Sequence, residues 1–87
     1  MKKYTAEELF LNLVSQFQQS ASIYLGKTKN PQNNKIEKNL ILAEYFIEML
    51  KMLEEKTKNN LSENEKKNLK QVIDQLESER SKETRKS

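Results

Sequence analysis

The stretch from Asn39 to Lys58 places the tightest constraint on how this chain folds. Leu40, Leu42, Ala43, Phe46, Ile47, Leu50 and Leu53 recur at the three- and four-residue steps of one helix face, with Met49 at its margin. A second apolar stripe, Ile41, Tyr45 and Met52, follows at steps of four and seven. Only Glu44, Glu48, Lys51 and Glu55 mark a plainly polar strip, where Lys51 can pair with Glu48 and Glu55 one turn away. A helix that is apolar over most of its circumference must be covered on most sides. The rest of an 87-residue chain is too small to do this alone. The sequence therefore predicts a homo-oligomer, most simply a two-fold dimer, with Ile41, Tyr45, Met49 and Met52 at the interface.

Two other segments carry helical period. Thr5 and Glu8 have the spacing of a capping box, in which each side chain satisfies a free backbone N–H of the other residue. Leu9, Phe10, Leu13, Val14, Phe17, Ala21, Tyr24 and Leu25 then trace an arc wide enough to meet more than one neighbour. Gly26 stands where a left-handed cap ends a helix. Asn39 is an N-cap for the second helix, and Asn59-Asn60 is its stop. Ser62 and Glu65 form a second capping box, opening a third helix with the thinner stripe Leu69, Val72, Ile73 and Leu76. The expected fold is all-α: helices over about 5–25, 39–58 and 62–77 within a single domain spanning 1–76. The short second connection makes an antiparallel hairpin of the C-terminal half. Residues 77–87 have no apolar side chain to bury and are expected to form a charged, flexible tail.

The connection over residues 27–38 carries Lys27, Lys29, Lys35 and Lys38 against Glu37, which accounts for the net charge of +3 on the whole chain. Asn30-Pro31 within it favours a turn. Lys66, Lys67 and Lys70 add a basic patch on the third helix. Lys27, Lys29, Lys35, Lys66, Lys67 and Lys70 are accordingly the candidate contacts to a partner or to RNA phosphates.

Catalytic chemistry has little to work with. The chain has no Cys and no His, which removes thiol nucleophiles, thiolate metal sites and the usual proton shuttle near neutral pH. One glycine, Gly26, excludes a P-loop and a dinucleotide fingerprint. Glu44 and Glu48 are one turn apart, yet nothing in the pattern implies a cleft around them. No cofactor, metal, small-molecule substrate or membrane association is expected. The basic-then-acidic start, Met1 to Glu8, lacks an apolar signal core, which points to the cytoplasm.

The run Leu50-Lys51-Met52-Leu53-Glu54-Glu55-Lys56-Thr57-Lys58-Asn59-Asn60-Leu61-Ser62 has a counterpart elsewhere. Together with Tyr24-Leu25-Gly26, Asn30-Pro31, Asn39-Leu40, Ala43 and Ile47, it resembles a family of small bacterial proteins known as domain of unknown function 1844. That family has a first helix ending in Leu-Gly, a Pro-containing loop, and a helix ending in Leu-Glu-Glu-Lys-Thr-Lys-Gly-Asn-Leu. This chain departs from it at Asn59, where Gly is usual, at Glu48, where Asp is common, and at Leu76-Glu77, where a Leu-Arg pair is common. The resemblance implies a helical fold and a bacterial, cytoplasmic protein; the family has no established activity.

The function expected is a non-enzymatic helical interaction or scaffold module that binds itself and an unidentified protein. The alternative is a ribosome- or RNA-associated factor using the lysines of the 27–38 loop and the third helix.

Overall fold

A computed structural model describes residues 3–86, with residues 85 and 86 described by backbone alone. Residues 1, 2 and 87, which belong to the expected domain and tail, lie outside the described residues. Three helices follow one another: α1 (Ala6–Tyr24), α2 (Leu40–Lys56) and α3 (Glu63–Lys86). No strand occurs among the described residues, apart from an isolated bridge between Asn30 and Lys35.

Each helix starts where a side chain satisfies an orphan backbone N–H. Thr5 Oγ1 accepts from Glu8 N at 3.0 Å while Thr5 N donates to Glu8 Oε1, the reciprocal box expected at this spacing. Asn39 Oδ1 accepts from Leu42 N. Ser62 and Glu65 repeat the box at α3. α1 ends in a Schellman motif: Lys27 N donates to Ser22 O and Gly26 N to Ile23 O, both at 3.0 Å, with Gly26 at φ +81°. Asn59, at φ +74°, turns the chain after α2.

All three helices touch one another around a single core. Val14, Ala21 and Leu25 from the α1 end meet Ala43, Ile47 and Leu50 of α2 and Leu69, Val72, Ile73 and Leu76 of α3. The breadth of α1's apolar arc is explained, because it serves both neighbours. Phe46 links α1 and α2 through rings, stacked on Tyr24 at 6.0 Å and tilted against Phe17 at 6.3 Å.

The 27–38 connection is a hydrogen-bonded turn. Asn30 N donates to Lys35 O and Asn34 N to Asn30 O, while Asn34 takes φ +57°. Asn30 Oδ1 accepts from Gln32 N, and Asn30 Nδ2 reaches Glu37 Oε1 at 2.7 Å. Asn33 Oδ1 accepts from Lys35 N. The asparagines that read only as turn formers each hold a specific bond. Asn39 N then donates to Tyr24 O, closing the connection on the end of α1.

The third helix runs past its expected end at about residue 77 and into the segment expected as a tail. α3 continues ten residues past Leu76, to Lys86. Apolar burial cannot hold this extension, and ion pairs do. Arg80 reaches Glu44 at 3.6 Å, Glu77 reaches Lys51 at 3.0 Å, and Glu83 is met by Lys27 and Lys38.

Candidate interaction surface

With α2 docked, Ala43, Ile47 and Leu50 are buried. At about 100° per residue, Ile41, Tyr45 and Met52 point within roughly 40° of one another, on the opposite side of the helix. They are 83%, 57% and 44% exposed. Met49 is partly buried and turns toward α1, as does Leu42, which is exposed.

α1 extends this surface. Phe17 and Tyr24 face Phe46. On the same wheel, Leu13 and Leu9 lie just beyond them on the outer side of the α1–α2 seam. Leu9 is 55% exposed and Leu13 is also exposed. Gln16, Gln19 and Ser20 continue the flank toward the loop. With Ile23, Tyr24, Phe46, Asn30, Pro31 and Gln32 they line an open cavity of about 370 Å³ without a charged group.

Charge is absent from this face in a way it is not elsewhere. From Leu9 to Gly26 no residue is charged, although 33% of the chain is. On α2, Glu44 and Glu48 lie on the α3 side of the stripe, where Arg80 and Lys51 engage them. Lys56 is the one α2 charge turned toward the uncharged sector. Depletion of charge with enrichment of aromatic and Met side chains is the composition of an interface core.

Leu9, Leu13 and Leu42 were not singled out as surface residues by the sequence pattern. α1 reads as one broad apolar arc, and which edge of it stays uncovered depends on where α2 docks. The uncharged run from Leu9 to Gly26 is the sequence feature that points to Leu9 and Leu13.

The six candidate lysines do not converge. Lys27 is paired with Glu83 at 3.4 Å, near the end of α3. Lys29 lines a shallow cavity with Gln18, Ser22 and Thr28, and Lys35 is exposed on the turn. Lys70 lies 3.7 Å from Asp74, and Lys66 borders a separate cavity with Glu54, Glu55 and Lys58. Lys67 is exposed. Thirteen residues separate Lys70 from Glu83 along α3, about 20 Å of helix.

Other polar groups are occupied by structural partners. Glu7 accepts from Ser62 Oγ at 2.8 Å, tying the start of α1 to the start of α3. Thr57 Oγ1 donates to Leu53 O at the end of α2. Glu77 Oε1 and Arg80 Nε are buried 3.7 Å apart, outside hydrogen-bond distance of each other. Lys51 is held above its ordinary value chiefly by its hydrogen bond to Glu77, with Glu48 adding to it and burial opposing it. No group of three or more Asp or Glu among the described residues is placed to hold a metal ion, and no described helix is long and apolar enough to cross a membrane.

These features define a small three-helix protein with one broad, charge-poor face. The sequence pattern of the family described as domain of unknown function DUF1844 matches residues 7–79, and the chain belongs to that family. None of the curated proteins and none of the solved structures matches it.

Proposed function

We propose that this chain is a non-enzymatic, cytoplasmic interaction module of a bacterial cell that assembles with a second copy of itself through the α1–α2 face. The carrying observation is Ile41, the most exposed large apolar side chain described, at the head of a stripe that continues through Tyr45 and Met52. Six exposed apolar residues, Leu9, Leu13, Ile41, Leu42, Tyr45 and Met52, offer about 600 Å² at roughly 100 Å² each, the upper end for a typical monomer's largest patch. Two copies face to face would bury about 1,200 Å², the lower bound of a specific interface.

The chemistry favours a second copy over a charged partner. A two-fold axis sets a surface against itself, so like charges near the axis repel. A face with Lys56 as its one α2 charge avoids that penalty. On the far side, α2 and α3 form an antiparallel hairpin, supported by the Glu44–Arg80 and Lys51–Glu77 pairs. Arg80 and Lys51 engage Glu44 and Glu48, the two carboxylates one turn apart on α2, which supports a role without catalysis. The charged surface of α3 is left to present to other proteins.

Mass-resolved size exclusion of the full chain beside Tyr45→Glu and Met52→Glu tests this. The wild type elutes as a dimer and both variants as folded monomers. An unchanged mass in the variants, or a monomeric wild type, refutes it.

A further inference from the structure

We infer that the distal part of α3, from Glu77 onward, is an electrostatic latch that clamps the 27–38 loop and opens as a unit separate from the core. Four observations converge on it. First, residues 77–87 include no aliphatic or aromatic residue, so this segment lacks the hydrophobic term that fixes Leu69, Val72, Ile73 and Leu76. Second, the tertiary partners described for it are ionic: Lys51 for Glu77, Glu44 for Arg80, and Lys27 with Lys38 for Glu83. Third, Glu83 is only 6% exposed despite its charge. A buried carboxylate is tolerated where cations meet it, and here two do.

The fourth is where those two cations come from. Lys27 follows the left-handed Gly26 at the start of the loop, and Lys38 precedes the Asn39 cap of α2 at its end. The stem of Lys38 lies over Gly26, within 3.5–3.7 Å of where a Cβ would stand. One carboxylate on α3 therefore ties both ends of the loop together. Release of α3 beyond residue 77 frees Lys27 and Lys38, and the loop then presents four lysines against Glu37.

The ion pairs on both ends of the latch are only partly buried, so dissolved ions reach them. Lys27 and Lys38 side chains are 36% and 44% exposed. Screening shortens their reach as salt rises, while burial in the core is unaffected or strengthened. Docking of the latch falls with ionic strength, and the core does not follow.

Hydrogen exchange of the full chain, read by mass spectrometry at about 0.02 M and about 0.5 M NaCl, decides the matter. In wild type, high salt speeds exchange in residues 77–84 and 27–38 together, and peptides covering 10–25, 40–53 and 65–76 stay protected. Glu83→Gln reproduces the fast state at low salt, by roughly tenfold or more, as expected for losing hydrogen bonds to a charged group. Lys38→Arg keeps the slow state. Three results overturn the inference: no response to salt or to Glu83→Gln, a response in α3 that the loop does not share, or a loss of protection that includes the core.

Discussion

Gly26 and Asn59 show how much a single backbone angle decides here. Both take positive φ, at +81° and +74°. A Cβ at Gly26 meets nothing closer than 3.5 Å, so the requirement is conformational and not steric. Gly26→Ala should cost about 1–2 kcal/mol, the penalty of a left-handed residue with a side chain, read as a lower urea midpoint at unchanged slope. Asn59→Gly should be neutral or slightly stabilising in the same titration, because Asn already tolerates the angle less well than Gly. Lys51 supplies the pH-dependent contribution at this scale. Its folded pKa is raised above 10.5, so the folded state holds this proton more tightly than the unfolded one. The stability it contributes is fully present below 10.5 and lost as pH climbs through the higher folded value. Urea unfolding across the alkaline range should show Lys51→Met losing less stability than wild type; parallel curves would remove the Glu77 contact as the cause.

At the scale of elements, cap and period residues carried most of what could be read directly. Thr5, Asn39 and Ser62 start their helices where their spacing to Glu8, Leu42 and Glu65 indicates. Thr5→Ala or Ser62→Ala should each cost about 1 kcal/mol of unfolding free energy. α3 was legible only as far as Leu76, because apolar period stops there. The partners that extend it, Glu44, Lys51, Lys27 and Lys38, are distant in sequence, and pairing across space leaves no periodic trace. The same holds for the loop, whose asparagines predict turns without saying which carbonyl each will meet. Core and surface positions on α2 separate cleanly in energy. Ile47→Ala removes a fully buried side chain and should cost about 2–5 kcal/mol, whereas Met52→Ala on the outer stripe should change monomer stability by less than about 0.5 kcal/mol. Thermal or urea unfolding at low protein concentration distinguishes the two.

For the whole molecule, size and shape bear on whether it stands alone. Its radius of gyration is 14.0 Å, against about 12 Å for a compact domain of this length. Its Cα extents of 41 × 30 × 16 Å describe a slab. A slab has broad faces, and the α1–α2 face is the one poorest in charge. Half of that surface was legible in the sequence, since Ile41, Tyr45 and Met52 exceed what one core can absorb. The other half, Leu9, Leu13 and Leu42, was hidden because an amphipathic arc does not disclose which of its edges a neighbour will leave open. The two halves together make self-assembly the central claim. Sedimentation equilibrium of the wild-type chain over a wide concentration range tests it most directly. Association through this face gives a mass approaching twice 10.3 kDa, falling toward 10.3 kDa on dilution and at all concentrations for Ile41→Glu. A folded single subunit of 10.3 kDa at the highest concentration would contradict it.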